Sequence, residues 1–370
     1  MLSKCTKKRA VVGMSGGVDS AVAAYLLKIA GYEVIGVTLR TWTGDDGKES
    51  RCCEITDARM IADTLDIPYY VLNCQDQFRQ FVTEPFIHSY LSGKTPNPCI
   101  LCNRYIKWEN LLDAADRFGA EYVSTGHYAG VIKLSNGRYT LQQAKHIPKD
   151  QTYMLYRLTQ EQLKRTLMPL KNLTKAEVRR IAEAAGIPVA DKKDSQEICF
   201  VTDGTHADFI NNHITCDPPQ TGSFADESGN IIGRHSGIHH YTVGQRKGLG
   251  LSLGYPAYIR QIDAINNRII IGDEQSLYSD TVIISDLAFM GIPEIRTDEP
   301  ILGKAKIRYH HAMQAAEAEF LTGNKLALHF HQPVRAAAPG QSAVLYDDNG
   351  CILCGGIIEN SFERRQHSRD

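Results

Sequence analysis

The stretch RAVVGMSGGVDSAVAAYLLKIA, residues 9–30, limits the fold of this chain more than any other. Residues 9–14 form an apolar run of strand length and residues 18–30 carry a helical period, so a buried strand passes into a helix through a glycine-rich turn. The alternation continues. VIGVTLR reads as a strand, residues 54–66 as a helix, YYVLN as a strand, the segment after Cys99 as a long helix and YVSTGH as a further strand. Such a pattern builds a parallel sheet covered by helices on both faces, with ligands at the C-terminal ends of the strands. After about Val201 the texture changes to Gly/Pro/Asn turns and short alternating segments, which predicts mostly β structure in the remainder.

Composition removes several classes. With 370 residues, 43% of them apolar and 22% charged, the chain has the makeup of a globular protein with room for two or three cores. The run from residue 21 to 37 is interrupted by Lys28, Gly31 and Glu33, too polar for a bilayer span, and the first residues resemble neither a signal nor a transit peptide. The expectation is a soluble, cytoplasmic protein without a membrane partner. Ten irregularly spaced cysteines fit reduced thiols better than a disulfide scaffold. The net charge of −1 says nothing for nucleic acid, although residues 161–193 hold eight Lys/Arg against four Asp/Glu; a solvated helix face explains such a run equally well.

The segment GMSGGVDS, residues 13–20, lies where the first strand meets the first helix. Glycines there let the backbone approach an anion, and the helix N-terminus supplies unpaired N–H groups and the positive end of a dipole. It lacks the lysine of a Walker A loop and the spacing of the dinucleotide fingerprint. The order Ser-Gly-Gly-Val-Asp-Ser resembles the PP-loop of the N-type ATP pyrophosphatases, which transfer AMP from ATP to a substrate oxygen. By that resemblance Ser15, Gly16, Gly17 and Ser20 cradle phosphates and Asp19 lies close to the Mg2+ that accompanies ATP, with no metal held by the protein itself.

The thiols offer several chemistries. Asn97 fits an N-cap and Pro98 the first helical position, which places Cys99 and Cys102 in the first turns of a helix, where a thiol is lowered from its usual value of about 8.5. As half of a zinc site the pair would need Cys351 and Cys354, far outside the usual ribbon spacing of about 15–20 residues, on a segment that reads as a strand. Cys199, taken alone, reads as a buried small hydrophobe. Its setting in KKDSQEICFV, behind Lys192, Lys193 and the polar Asp194, Ser195 and Gln196, favours a functional thiol at the end of the first domain.

Seven segments in order, GMSGGVDS, GKTPNPCILCNRYIKW, STGHYAG, KDQTYMLYRL, KKDSQEICFV, GIHHYTVGQRKGLGL and KIRYHHA, make the chain similar to the bacterial tRNA-specific 2-thiouridylases over nearly its whole length. The resemblance implies ATP-dependent 2-thiolation of the wobble uridine of tRNAs for Lys, Glu and Gln, with sulfur supplied by a cysteine desulfurase or a relay protein. It implies an α/β PP-loop domain, residues 1–204, a small mostly β central domain, 205–278, and a C-terminal β-barrel, 279–370. ATP would be held by Gly13, Met14, Ser15, Gly16, Gly17, Val18, Asp19 and Ser20, with Leu39 and Gly126. Cys199 would carry the persulfide, and Cys102 would be the nucleophile that forms a transient disulfide with it. Asn97, Pro98, Cys99 and His127 fall where the family meets the target base. Lys149, Asp150, Gln151, Arg308, Tyr309 and Gln341 fall where it meets tRNA.

One position departs from the family's Asn-Pro-Asp form: the third residue is Cys99, so a base contact by a carboxylate is not carried over. The substitution adds a third thiol to Cys102 and Cys199, and three cysteines with an open position could hold an iron–sulfur cluster, the alternative to the persulfide. A PP-loop ligase acting on a small-metabolite carboxylate is a second alternative, and would not need paired thiols. Lys304, Lys306, Arg308 and His310 alternate, so a strand would line them on one face, suited to phosphates or to a solvated edge. A wobble base must also leave its stack to react.

Overall fold

The structure is a computed structural model that describes residues 7–44, 47, 50, 53–188, 198–214, 220–294 and 299–362. The chain divides into two compact units: Met1–Thr83, Pro98–Thr202 and Gly350–Ile352 form one, and Glu84–Asn97, Asp203–Asn349 and Leu353–Asp370 the other.

In the first unit the strands are β1 (Arg9–Gly13), β2 (Glu33–Arg40), β3 (Tyr69–Asn73), β4 (Tyr122–Ser124), β5 (Gly130–Lys133), β6 (Tyr139–Gln142) and β7 (Thr166–Leu167). The main sheet runs β3-β2-β1-β4-β7 with every described pairing parallel. Strand order therefore reverses between β1 and β4, where Val12 lies beside Ser124. This is the switch point at which open α/β sheets bind ligands. The helix Val18–Ile29 buries Val18, Ala21, Val22, Ala23, Ala24 and Leu27 against Ala10, Val12 and Val34. The helix Trp108–Arg117 packs on β1 and β4, and Trp108 is fully buried with its Nε1 donating to Thr166 Oγ1 at 2.7 Å. An antiparallel hairpin of β5 and β6 follows β4, an element the alternation of strands and helices does not announce.

The second unit holds β8 (Gly222–Ala225), β9 (Ile231–His235), β10 (Tyr258–Asp263) and β11 (Arg268–Gly272), a small sheet in the order β10-β11-β8-β9. Its six remaining strands, β12 (Tyr278–Phe289), β13 (Ile301–Lys306), β14 (Gln314–Leu321), β15 (Lys325–Arg335), β16 (Ser342–Tyr346) and β17 (Ile352–Phe362), close into a barrel. Small inward residues, Ala305, Ala316, Ala318 and Ala343, leave room for Val282, Ile284, Leu326, Leu328 and Phe330 in its core. Closure removes the exposed edges that charged residues would otherwise have to protect. The expectation of mostly β structure holds here with one correction. His206–His213 is a helix, started by a capping box in which Thr205 Oγ1 accepts from Asp208 N and Asp208 Oδ2 accepts from Thr205 N. Eight residues are too few to show a convincing period.

Histidines gather around the small sheet. His239 Nε2 donates to Asn211 Oδ1 at 2.9 Å, His206 stacks on Tyr90, and His235 packs against Phe224 and Tyr241. Burial holds all three below the ordinary imidazole value, His239 down to about 4, and neighbouring His240 adds repulsion in each case. Folded, these rings refuse protons that the unfolded chain accepts near pH 6.5, so stability is fully present above that value and falls as pH drops below it. Melting temperature should therefore decline steadily between pH 7 and pH 5; a flat profile in differential scanning calorimetry would contradict neutral buried rings.

Candidate active site

At the end of β1 the chain is clamped before it turns. Met14 N donates to Val37 O at 2.8 Å and Met14 O accepts from Thr38 Oγ1 at 2.7 Å. Ser15 and Ser20 then close the loop: Ser15 N donates to Ser20 Oγ, Gly17 N to Ser15 Oγ, and Ser20 Oγ to Gly17 O. Gly17 is the N-cap of the helix that begins at Val18 and has no side chain to cap it, which leaves the first turn's N–H groups for an anion. Gly16 has φ of +77°, and a Cβ there would lie 2.7 Å from Glu54 O. Gly126, from the segment after β4, approaches so closely that a Cβ would lie 2.5 Å from Ser20 N. Gly13 ends β1 against Leu111, and Leu39 is buried near the end of β2 with its carbonyl accepting from Cys53 Sγ at 2.9 Å. All ten residues expected to hold ATP thus lie at the C-terminal ends of β1 and β2, in the turns that leave β1 and β4, or in the first turn of the helix Val18–Ile29.

Asp19 shows what sequence reasoning missed. Its carboxylate takes Lys175 Nζ on both oxygens, at 2.8 and 2.7 Å, and Tyr128 OH at 2.8 Å. Lys175 is the first residue of the helix Lys175–Ala184, placed by a capping box of Thr174 and Glu177, and its side chain is only 12% exposed. The signal available was TKAE, a helix start by the T-x-x-E rule, but nothing in it indicates that the lysine reaches Asp19. A carboxylate and an ammonium group beside a phosphate loop fit a magnesium–nucleotide complex, since Mg2+ takes one or two carboxylates together with phosphate oxygens. Asp19 would hold the ion and Lys175 would neutralise phosphate charge.

The helix predicted after Asn97 does begin at Pro98. Cys99 is exposed and Cys102 is 6% exposed. From Cys102 to Lys107 the winding is π-helical before α geometry resumes at Trp108. Such insertions re-aim side chains and recur at functional sites. Asn103, next in the chain, donates through Nδ2 to Met154 O at 2.9 Å and fixes this segment. Cys199 is half-buried, and the adjacent Phe200 ring packs 6.3 Å from Trp42 and 5.6 Å from Phe78. The helix Gln75–Phe78 also packs on the Cys102–Lys107 segment. Lys192, Lys193, Asp194, Ser195 and Gln196 lie outside the described residues.

Among the described residues no group of three or more His, Cys, Asp or Glu side chains is gathered to hold a metal. Cys351 and Cys354 are both buried, and burial pushes the Cys354 thiol up to about 12, which suits a core residue rather than a zinc thiolate.

His127 lies beside the loop glycine Gly126. Thr125 Oγ1 is 2.8 Å from its Nδ1, the Trp108 ring is 5.7 Å away, and burial aided by the Lys107 charge holds it well below the ordinary imidazole value. It is neutral at physiological pH. The segment expected to meet tRNA divides in two. Lys149 is exposed. The Asp150 carboxylate is buried and accepts from Ala144 N at 3.0 Å and Thr152 Oγ1 at 2.7 Å, while Gln151 exchanges hydrogen bonds with the Tyr128 backbone through its side chain and its own N–H. Both side chains shape the loop, and so hold in place the segment expected to meet tRNA.

A second correction concerns the alternating basic row. β13 ends at Lys306, so Arg308 and His310 are in the turn that follows and not on the strand. Arg308 donates through Nη2 to Val243 O and Ala336 O at 3.0 and 2.8 Å, which makes it a clamp within the second unit. Lys304 pairs with Asp348, and Lys306 lies over the Tyr309 ring. Gln341 follows Gly340, whose φ of +90° allows it to pack against Lys94 and Thr95, and Thr95 N donates to Pro339 O at 2.8 Å. That contact anchors the loop ending at Asn97.

Asp150→Ala should lower stability by about 2–4 kcal/mol in chemical denaturation, because it strands the Ala144 N–H and the Thr152 hydroxyl in the interior. Lys149→Ala should leave stability unchanged. Equal midpoints for the two variants would return Asp150 to the surface.

Three family models cover the chain: tRNA methyl transferase HUP domain over residues 8–203, tRNA methyl transferase PRC-barrel domain over 207–273 and Aminomethyltransferase beta-barrel domain over 279–358. They correspond to the parallel-sheet region, the small sheet with its helix, and the closed barrel. A tRNA-specific 2-thiouridylase MnmA of Lachnoclostridium phytofermentans is 48% identical over 94% of this chain and 98% of its own length. Those of Clostridium perfringens, 45% identical over 96% and 99%, and of Acetivibrio thermocellus, 48% identical over 96% and 100%, agree with it along the same extent. With near-complete coverage in both directions, the chain belongs to the tRNA-specific 2-thiouridylase family.

Proposed function

We propose that this chain catalyses ATP-dependent 2-thiolation of the wobble uridine of tRNA through a cysteine persulfide. The observation that supports the reading is the Ser-Gly-Gly-Val-Asp-Ser loop at the switch point of the parallel sheet, in a unit that also holds a buried thiol, Cys102, at the start of a π-helical turn and a half-buried one, Cys199. The loop and Lys175 hold the phosphates while the uridine C2 oxygen attacks the α-phosphorus, which expels pyrophosphate and leaves AMP on C2. AMP is a far better leaving group than hydroxide. The terminal sulfur of the Cys199 persulfide then adds at C2 and AMP departs. Cys102 thiolate attacks Cys199 Sγ, the S–S bond to the base breaks, and the base keeps its sulfur while Cys102 and Cys199 are left as a disulfide.

Neutral His127 and the Asn97–Pro98 segment are assigned to the flipped base, with Mg2+ at Asp19 supplying charge neutralisation for the leaving pyrophosphate. Lys149, Asp150, Gln151, Arg308, Tyr309 and Gln341 are assigned to the segments that meet tRNA. The division 1–204, 205–278 and 279–370, the tRNAs for Lys, Glu and Gln, a cysteine desulfurase or relay as sulfur donor, and a cytoplasmic site belong to the same reading. Among the described residues no helix is long and apolar enough to cross a membrane.

Mass spectrometry of tRNA nucleosides tests the activity: 2-thiouridine derivatives should be missing from a deletion strain and return with the wild-type gene. Asp19→Ala should abolish tRNA-dependent AMP release while tRNA binding persists. Cys102→Ser and Cys199→Ser should each stop thiolation while adenylation continues. Normal thiolation by either serine variant would end the persulfide scheme.

A further inference from the structure

We propose that Cys99 is the resolving thiol of this enzyme, the group that reopens the Cys102–Cys199 disulfide after each turnover; the proposal rests on the persulfide reading. Every cycle of that reading ends with two electrons missing. Cys102 is 6% exposed and Cys199 half-buried, so a reductant from solvent meets a shielded bond. Cys99 is exposed and stands three residues before Cys102 on one continuous helical stretch that begins at Pro98. Side chains at i and i+3 of a helix share a face with Cβ atoms about 5–6 Å apart, and a disulfide needs about 3.5–4.5 Å, so the pair closes with a shift of about 1–2 Å in this first turn.

The exchange balances. Cys99 thiolate attacks Cys102 Sγ, the Cys102–Cys199 bond breaks, and Cys199 leaves as a thiolate ready for the next sulfur. The new Cys99–Cys102 bond has one sulfur at the surface. A dithiol reductant attacks Cys99 Sγ, Cys102 departs as a thiolate, and the dithiol finishes as its own disulfide. The other described thiols of this unit are unsuited: Cys53 is buried with its sulfur on Leu39 O, Cys351 is buried too, and burial pushes Cys74 up to about 11. An exposed cysteine ahead of a buried one is the arrangement that separates a solvent-facing exchange step from an internal one.

The test uses full-length protein, reduced, loaded with persulfide by a cysteine desulfurase and cysteine, and freed of reductant. After one turnover on unmodified tRNA with ATP, free thiols are alkylated and the protein is digested with trypsin. In wild type the peptide containing Cys99 and Cys102 should be two mass units light and unalkylated, with Cys199 alkylated. In Cys99→Ser, Cys102 should be linked to Cys199. With a dithiol present, the ratio of later turnovers to the first, taken within each variant, should fall at least tenfold in Cys99→Ser. Wild type that retains the Cys102–Cys199 link with Cys99 alkylated overturns the resolving role alone. Wild type that forms its first 2-thiouridine with all three thiols alkylated overturns both the resolving role and the persulfide reading.

Discussion

The first unit depends on the absence of a side chain at Gly126. The turn after β4 meets the first turn of the helix Val18–Ile29 so closely that a Cβ would fall 2.5 Å from Ser20 N and 2.6 Å from Asp19 C. That approach sets two strand ends side by side at the reversal of the sheet and brings the loop leaving β1 beside the loop leaving β4. Gly16 does the same on the other side, where its left-handed backbone passes Glu54. With both neighbours this close, the helix N-terminus is fixed in position while its first N–H groups stay open. The phosphate site is therefore a consequence of backbone packing, with side chains added to it: Lys175 and Tyr128 on Asp19, and His127 one residue beyond Gly126.

What was legible in the sequence follows this division. Short-range signals were read well: β3 spans YYVLN, the helix after Gly17 starts at Val18, and Pro98 opens the helix that carries the cysteines. Each rests on a residue type whose backbone preference is strong, glycine, proline or a β-branched or aromatic run. Elements set by distant partners were not legible. The π-helical turn at Cys102–Lys107, the Lys175–Asp19 pair across 156 residues and the internal use of Asp150 have no periodic trace. The basic row failed for a related reason. Alternation in KAKIRYHH is a strand pattern, but β13 ends at Lys306 and the Arg308 guanidinium is drawn to the carbonyls of Val243 and Ala336. Those acceptors are invisible from the local sequence.

The cysteines show how burial sorts one chemical group into different roles. Cys74 and Cys354 are pushed up to about 11 and about 12 by burial alone, so they stay protonated and act as small apolar side chains. Cys102 is as buried as many core residues, yet it stands at the start of a re-wound helical turn. Burial there has a chemical use. A persulfide exposed to water is lost to any passing thiol, whereas one met only by a shielded nucleophile passes its sulfur to the base. The same shielding makes the resulting disulfide hard to reduce from outside. A site that protected its sulfur in this way would need a separate route for electrons, and under the proposed persulfide scheme Cys99, a solvent-facing thiol three residues ahead of Cys102, provides one.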